Sequence, residues 1–222
     1  MLDTGLRNKQ SAEDYDRYTA TATQPWDALF VERCAALRPR EHGGSLSDVG
    51  AGTGVLLEKL SQHPGFATWH LSGIEHFDDM VQAANERLGK VAPRITSPIM
   101  VQLGDAARLP YADGSLDLVV SRATIHHLPD QVAALREMHR VLKPGGVGMI
   151  HDVRRDMPEK VLTAFNKMRA AVGYGPTTLE EKLTPAEMAA LLDRAGLGQT
   201  SSIHTSSEGV GAIGFEVVIR KA

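Results

Sequence analysis

Short apolar runs alternate with segments of helical apolar spacing from Leu46 to about residue 152. The runs predict strands at 46–50, 68–74, 98–103, 116–121 and 146–152. Helices are predicted between them, at 54–62, 77–88 and 130–142, and the letters KPGG at 143–146 supply the end of the last one. This alternation predicts an α/β fold, a doubly wound parallel sheet with helices on both faces.

The flanking segments carry weaker patterns. Ser11 and Asp14 form a capping signal for a short helix through Tyr18, and 25–38 has the spacing of an amphipathic helix. After the alternating region, helices are predicted at 157–171 and from Thr184 to Gly196, followed by strands at 199–206 and 212–220. The two late strands are expected to form an antiparallel hairpin at one edge of the sheet. We interpret residues 1–222 as a single domain.

Composition narrows the class of protein. The 222 residues are 42% hydrophobic and 23% charged, which suits one globular domain with a sizeable core. A net charge of −3 disfavours a broad nucleic-acid-binding surface, and the single Cys34 cannot form an internal disulfide. The N-terminal stretch lacks the apolar core of a signal peptide, and no apolar run is long enough to cross a bilayer. These features predict a cytoplasmic protein.

The glycine-rich stretch SDVGAGTGVL, residues 47–56, follows the first predicted strand and opens the next helix. Gly50, Gly52 and Gly54 let the backbone approach a ligand closely, and the free N–H groups of a helix start favour a polar or anionic group. A dinucleotide-binding loop needs a small residue at position 55, where this chain has Val55. A nicotinamide-dependent oxidoreductase is therefore a weaker alternative, and a phosphate-binding loop lacks its Gly-Lys-Ser/Thr.

Two acidic residues follow the next two strands. Glu75 ends the second strand, where a carboxylate can accept two hydrogen bonds from a ribose diol. Asp105 stands just past the third strand, where it could accept a hydrogen bond from an adenine amino group.

Four ordered motifs carry a family resemblance. SDVGAGTGVL, GIEHFDDM, GDAARLPYADGSLDLVVS and LREMHRVLKPGG together resemble the class I S-adenosylmethionine-dependent methyltransferases, of the broad type that includes ubiquinone and menaquinone biosynthesis enzymes. The resemblance covers about residues 44–152. It implies S-adenosylmethionine as the cofactor and a Rossmann-like, seven-stranded, mostly parallel sheet of order 3-2-1-4-5-7-6 with strand 7 antiparallel. It also implies that the N-terminal helical region, 11–38, forms a lid.

The resemblance implies cofactor contacts at specific positions. Asp48 and the loop of Gly50, Gly52 and Gly54 would hold the methionine part. Glu75 would bind the ribose hydroxyls with His76 against the adenine, while Asp105 and Ala106 would contact the adenine edge. Ser121, at the end of the fourth strand, would line the wall near the methionine chain.

The methyl acceptor is expected beyond strands four and five, at the carboxyl edge of the sheet. His127 is a candidate for bordering the acceptor pocket, although the pair His126 and His127 also suits a structural role. His151 and Asp152 end the fifth strand, where the carboxylate could orient or charge the imidazole, and a histidine satisfied within the core is the alternative.

Substrate contacts are expected from two further pairs. Arg154 and Arg155 could clamp a carboxylate or phosphate, or they could be surface residues paired with Asp156 or Glu159. Tyr15 and Tyr18 of the lid could approach the methyl group or serve ordinary packing.

The segment 153–185 is the expected specificity element. Ser121 and Arg122 stand where metal-dependent relatives carry carboxylates, so no metal site is predicted. The sequence predicts methyl transfer to a small-molecule acceptor, with an anionic acceptor as the finer hypothesis. An S-adenosylmethionine-binding protein with a non-methylating or sensing role stays open as the alternative.

Overall fold

The computed structural model describes residues 15–16, 18–19, 23–91 and 98–222. Tyr15, Asp16, Tyr18 and Thr19 have helical backbone, whereas the predicted helix start at Ser11 and Asp14 lies outside the described residues. No helix in the described ranges is both long enough and apolar enough to cross a membrane.

Seven strands form one mixed sheet of order β3-β2-β1-β4-β5-β7-β6. Strands β1 to β5 pair in parallel, and β7 pairs antiparallel with both β5 and β6. The order and the antiparallel strand confirm the predicted fold class. The strand bounds are β1 Ser45–Val49, β2 His70–Glu75, β3 Met100–Leu103, β4 Leu116–Arg122, β5 Leu142–Val153, β6 Ser201–Thr205 and β7 Gly214–Arg220.

Helices cover both faces of this sheet. Helices α1, α2 and α3 bury apolar residues with one face, and α4 and α6 do so with the other. Helix α5 lies beyond the carboxyl end of β5, where Phe165 packs with Val153 and Met157. The helix bounds are α1 Gln24–Leu37, α2 Val55–Gln62, α3 Asp78–Lys90, α4 Gln131–Val141, α5 Glu159–Ala171 and α6 Pro185–Ala195.

The junction of α4 and β5 differs from the prediction. We expected the helix to reach residue 142 and the strand to begin at 146, but α4 ends at Val141 and β5 begins at Leu142. Leu142 already pairs with Leu116, and the register shifts before Leu118 pairs with Val147. Gly145, with φ of 77°, lies within this irregular stretch. The glycines that were expected only to stop the helix therefore also let the strand bulge.

Helix α1 is attached to the sheet through polar contacts as well as apolar ones. Trp26 Nε1 donates to His151 Nε2 over 2.8 Å, and the Trp26 ring packs edge-on against that imidazole. The fully buried Asp27 lies 2.6 Å from Lys59 Nζ on α2 and 3.0 Å from Arg122 Nε at the end of β4. The hydroxyl of Thr23 also donates to this carboxylate, over 2.9 Å. One buried carboxylate thus joins α1, α2 and β4.

We expect Asp27→Asn to lower the free energy of unfolding by about 3 to 5 kcal/mol, because removing one partner leaves buried cations without their counter-ion. Urea denaturation of the purified chain measures this change. Glu32→Gln is the matched control, since Glu32 is an exposed residue of the same helix, and it should change stability by less than about 0.5 kcal/mol. Equal effects of the two substitutions would contradict the structural role of Asp27.

Candidate functional site

The loop between β1 and α2 is shaped by three glycines with left-handed backbone. Gly50, Gly52 and Gly54 have φ values of 81°, 54° and 78°, a region that side chains other than glycine rarely adopt. The N–H groups of Gly50 and Ala51 donate to the carbonyl of Ile74 over 2.8 and 3.1 Å. These bonds hold the loop against the end of β2.

The carboxylate of Glu75 fixes the other side of this loop. Its Oε2 accepts from Gly52 N over 2.9 Å, and its Oε1 accepts from His76 N and Phe77 N over 2.7 and 3.1 Å. Glu75 is therefore held in one orientation at the carboxyl end of β2. A carboxylate oxygen can accept more than one hydrogen bond, so Oε2 can also receive a ligand hydroxyl.

A small, partly open cleft lies above the glycine loop. The buried Asp48 and Thr53 contribute Oδ1 and Oγ1 to this region, and neither atom has a hydrogen-bond partner among the described residues. Buried polar atoms are rarely left unpaired in a folded chain, so these two indicate a polar ligand. The lining residues are Tyr15, Thr19, Asp48, Gly50, Ala51, Thr53, Val55, Leu56 and Arg122.

The electrostatics of Asp48 support the same conclusion. The residue is only 2% exposed, and burial raises the pKa of its carboxyl to about 7, with Arg122 opposing the shift and Glu75 and Asp27 reinforcing it. A cation placed beside this carboxylate would replace its lost hydration. The cleft is therefore suited to a ligand that carries an ammonium group.

Sequence reasoning missed the role of Arg122 in this cleft. Its guanidinium ends β4, forms the ion pair with Asp27 and lies 5.5 Å from the centre of the Trp26 ring. The available signal was a charged residue at the carboxyl end of the largely apolar strand LDLVVSR. Such a residue is almost never buried without a partner, so it indicates either an ion pair or a ligand.

The segments after β4 and β5 bring a second polar cluster together. Asp152 Oδ1 lies 2.5 Å from His126 Nδ1, and His126 Nε2 lies 2.6 Å from Lys182 Nζ. His126 N also donates to Asp152 Oδ2 over 3.1 Å. Burial alone would raise the pKa of Asp152, but the charge and hydrogen bonds of His126 outweigh it and hold the pKa below its usual value.

The comparisons with known proteins agree with this architecture. Residues 47–150 match the family described as a methyltransferase domain. This region therefore resembles a methyltransferase domain, and the match covers just under half of the chain. The likeness extends to a solved S-adenosylmethionine-dependent methyltransferase from Aquifex aeolicus, with a TM-score of 0.66, 23% identity and 93% of each chain covered.

Two curated relatives each match about 60% of this chain. The chain is 30% identical over 132 residues to the 27-O-demethylrifamycin SV methyltransferase of Amycolatopsis mediterranei, which covers 60% of this chain and 46% of the relative. It is 35% identical over 136 residues to the demethylmenaquinone methyltransferase of Staphylococcus aureus, covering 61% and 54%. The chain thus spans about half the length of these curated relatives.

The family and the fold imply S-adenosylmethionine as the cofactor of the methyltransferase domain, and the cleft fits it. Its methionine part carries an ammonium group, for which the orphaned Asp48 carboxylate offers an acceptor. Glu75 offers a fixed carboxylate to ribose hydroxyls at the neighbouring strand end. The nicotinamide alternative loses its basis, because the family match points to a different cofactor.

The remaining predicted cofactor residues of the domain lie in two environments. His76, Asp105 and Ala106 follow β2 or β3 at the edge of the sheet that carries Glu75. His76 and Asp105 are exposed, and Asp105 accepts a hydrogen bond from Ala107 N over 2.8 Å. Ala106 is buried. Ser121 is fully buried, and its hydroxyl donates to Val49 O over 2.8 Å. Ser121 therefore ties β4 to β1 and does not belong to the residues that line the cleft.

The expected pairing of His151 with Asp152 is wrong. Consecutive residues of a strand point to opposite faces of the sheet, so Asp152 contacts His126 while His151 is buried against Trp26 and Phe30. Burial and the charge of Arg122 lower the pKa of His151 to about 3. The imidazole is therefore neutral, and its Nε2 accepts the Trp26 hydrogen bond.

His126 and His127 also differ in their contacts. His127 is exposed, whereas its neighbour His126 is held between Asp152 and Lys182. Two adjacent histidines look alike in the sequence, and only the long-range contacts distinguish them.

Arg154 and Arg155 are engaged within the domain. Arg154 Nε donates to Asp156 Oδ1 over 2.7 Å, while Arg155 donates to Glu187 and to the carbonyl of Lys182. Each guanidinium thus has its own carboxylate. Asp156 is one of the two partners considered from the sequence, whereas Arg155 pairs with Glu187 and not with the expected Glu159. Their charges are largely neutralised in this arrangement.

Tyr15 and Tyr18 attach the N-terminal segment at two points. A carbon atom of the Tyr15 ring would lie 3.1 Å from a Cβ built on Gly52, so this ring lies against the glycine loop. Tyr18 stacks on Tyr174, with 4.5 Å between the ring centres. The segment therefore reaches from the cleft to the region 153–185.

We expect Gly50→Ala to destabilise the chain by about 2 kcal/mol more than Gly43→Ala and to abolish binding of S-adenosylhomocysteine. Both positions have positive φ, which costs an alanine roughly 1 to 2 kcal/mol, but a Cβ at Gly50 would lie 2.2 Å from Thr124 Cγ2 while Gly43 has open space. Thermal unfolding and calorimetric titration of both variants measure the difference. Similar stability and binding in the two variants would contradict the close approach at Gly50.

Proposed function

We propose that this protein transfers a methyl group from S-adenosylmethionine to a small-molecule acceptor. The observation that carries the proposal is the buried Asp48 carboxylate in a cleft floored by the glycine loop, with its Oδ1 lacking a hydrogen-bond partner among the described residues. When bound, the cofactor supplies an electrophilic methyl group, and the chain has to hold it, align the acceptor and exclude water.

The proposed cofactor contacts follow the carboxyl ends of β1, β2 and β3. Asp48 and Thr53 would receive the ammonium group, and the N–H groups of the loop would approach the methionine chain. Glu75 would take the ribose hydroxyls. His76, Asp105 and Ala106 would surround the adenine, since they follow the same two strand ends.

The proposed acceptor site lies beyond the ends of β4 and β5. His127 is exposed at this edge and would border the acceptor. No proton-transfer role is proposed for His151, because it is neutral and buried beneath α1. We propose that residues 11–38 act as the lid and 153–185 as the specificity segment of a single domain, with Tyr15 and Tyr18 supporting the lid by their contacts to Gly52 and Tyr174.

The names of the curated relatives support a small-molecule acceptor. One is a methyltransferase of 27-O-demethylrifamycin SV and the other of demethylmenaquinone. A cytoplasmic location stays a prediction from the sequence.

The direct test uses the purified full chain with S-adenosylmethionine labelled in its methyl group. We expect calorimetry to detect binding of S-adenosylmethionine and S-adenosylhomocysteine but not NADH. We also expect the labelled methyl group to pass to a component of a small-molecule extract. Asp48→Ala should weaken both the binding and the label transfer at least tenfold. Asp113→Asn, at an exposed loop residue, is the control and should change neither. Absence of binding would refute the proposal. Binding without any transferred label would favour the non-methylating alternative.

The raised pKa of Asp48 gives a pH signature. Asp48 is protonated below about pH 7 in the free chain, so binding of a cationic ammonium group there must first displace a proton. We expect the affinity for S-adenosylhomocysteine to rise from pH 5.5 to about pH 7, by up to tenfold per unit, and then to level off. Asp48→Asn should bind more weakly and with a flat profile, as measured by calorimetry across this range.

The raised pKa of Asp48 has the opposite effect on the stability of the free chain, which decreases as the pH rises. Its pKa rises from 3.8 to about 7 on folding, so its contribution to stability is complete below pH 3.8 and is lost as the pH rises to about 7. A pH series of urea unfolding should show this loss in the wild type and not in Asp48→Asn. If the difference in unfolding free energy between the wild type and Asp48→Asn stayed constant across the pH series, the assigned pKa would be contradicted.

A further inference from the structure

The motif LREMHRVLKPGG, residues 135–146, covers the end of α4 and the start of β5. None of its residues is among those that line the cleft above the glycine loop. Two of its charged side chains, Glu137 and Arg140, instead contact the β3–β4 loop, residues 104–115, which carries Asp105 and Ala106. These contacts connect the motif to the cofactor site without placing it in the cleft.

Glu137 and Arg140 form an ion pair with two contacts on one face of α4. Arg140 Nε lies 2.7 Å from Glu137 Oε1, and Nη2 lies 2.8 Å from Oε2. Residues three positions apart on a helix are neighbours, and the planar guanidinium matches the two oxygens of a carboxylate. The hydrogen bonds from Arg140, with a smaller contribution from Leu109 N, hold the pKa of Glu137 below its usual value. The pair is therefore charged at neutral pH.

This ion pair supplies hydrogen-bond partners to the backbone of the β3–β4 loop. Leu109 N donates to Glu137 Oε2 over 2.8 Å, and Arg140 Nη2 donates to Leu109 O over 3.1 Å. Arg140 Nη1 also donates to Tyr111 O over 2.9 Å. Backbone groups outside helices and strands need partners of this kind, so α4 helps to set the conformation of the loop.

The side chain of Tyr111 attaches the same loop to the sheet. Its hydroxyl oxygen lies 2.9 Å from Ser47 Oγ on β1 and 2.9 Å from Ser72 Oγ on β2. Ser72 donates its own proton to Leu46 O over 3.1 Å. The Tyr111 hydroxyl therefore donates to Ser72 and accepts from Ser47, since each hydroxyl has one proton. The middle of the loop is thus held from two sides.

Leu109 is linked to Asp105 and Ala106 by one tight turn. Arg108 N donates to Asp105 O over 3.0 Å, and the buried Ala106 and Leu109 belong to the same apolar cluster. Asp105 Oδ1 accepts from Ala107 N over 2.8 Å. This bond orients the carboxylate and leaves its other oxygen for a ligand. A shift of Leu109 would therefore also shift Asp105.

The start of the loop lies beside the residue proposed to take the ribose hydroxyls. Gly104 N donates to Glu75 O over 2.8 Å. Asp105 therefore stands between two fixed points, Gly104 after β3 and Leu109 on the ion pair of α4. A hydrogen bond weakens steeply as its angle departs from linearity. The two fixed points thus decide how well the Asp105 carboxylate can meet an amino group of a base.

We propose that Glu137 and Arg140 are positioning residues that set the selectivity of the cofactor site for adenine. They hold the β3–β4 loop so that Asp105 meets the exocyclic amino group of the base and Ala106 meets its edge. This inference rests on the proposed function and names the residues that decide which base the same site accepts. Neither residue touches the cofactor, so both act through Leu109 and the turn that follows β3.

The test compares binding of S-adenosylhomocysteine with binding of S-inosylhomocysteine, in which an oxygen replaces the exocyclic amino group of the base. Calorimetric titration of the full chain measures both affinities. The Asp105 carboxylate loses its donor in the inosyl compound and faces an acceptor instead. Because a hydrogen bond to a charged group is lost, we expect the wild-type chain to bind the adenosyl compound at least about tenfold more tightly.

Arg140→Met should reduce this preference to about threefold or less, mainly by weakening the adenosyl compound, because the loop loses its contacts at Leu109 and Tyr111. Arg136→Met is the matched control. Arg136 lies on the same helix and donates to backbone carbonyls at the end of α6, so its loss removes contacts of the same kind without touching the loop. The control should keep the full preference.

Glu137→Gln gives an independent result if Arg140→Met does not fold. This substitution keeps the shape of the side chain and one acceptor oxygen but removes the charge opposite Arg140, so the preference should fall to an intermediate value. The double variant should lose no more preference than Arg140→Met alone, because both residues act through one loop. In the ligand-free chain, hydrogen exchange measured by NMR should be faster at Leu109 N–H in both single variants and unchanged in Arg136→Met.

Three results would overturn the positioning role while the proposed function stands. They are a wild-type chain that binds both compounds equally, a preference that persists in Arg140→Met and Glu137→Gln, and an equal loss of preference in Arg136→Met. Failure of the wild type to bind either compound is a different result, because it counts against the proposed function. Hydrogen exchange at Leu109 N–H would then still decide whether the ion pair holds the loop.

Discussion

The cleft depends on the buried carboxylate of Asp27. This side chain is fully buried and contacts Lys59 and Arg122, which come from α2 and β4. Burying charges is costly unless each has a partner, so α1 can dock only where it supplies this counter-ion. Because Arg122 also lines the cleft, the docking of α1 sets the position of a cation beside Asp48. The docking of α1 therefore also determines the electrostatics of the site.

The sequence predicts the fold well because its signals are local. Apolar runs, helical spacing and glycine punctuation lie within windows of ten to fifteen residues, and they yield the alternating strands and helices and the glycine loop with its neighbouring Glu75. The strand order and the antiparallel β7 were expected from the family resemblance of the motifs. The boundary at Leu142 was wrong because a bulged strand can follow a helix without an intervening loop. Local patterns cannot register a pairing between Leu142 and Leu116.

The partners of polar side chains are much harder to predict, because they are chosen by distance in the folded chain. His126 and His127 are adjacent, yet only His126 reaches Asp152 and Lys182. Likewise His151 and Asp152 were paired from their proximity in the sequence, although strand alternation directs them to opposite faces. Lys182 carried no signal, since a lone lysine in a loop is usually solvated. Arg122 did carry one, because it ends a strand that is otherwise largely apolar.

The N-terminal segment joins the two halves of the proposed site. Tyr15 lies on Gly52, Asp16 forms an ion pair of 2.5 Å with Arg87 on α3, and Tyr18 stacks on Tyr174 beside Arg169. One short helical stretch therefore contacts both the loop proposed for the cofactor and the segment proposed for the acceptor. Transfer of a methyl group requires that both ligands be aligned and shielded from water together. The lid proposed for this segment would be anchored at both ends and would meet that requirement, whereas a lid anchored only at the cofactor loop would leave the acceptor side open to water.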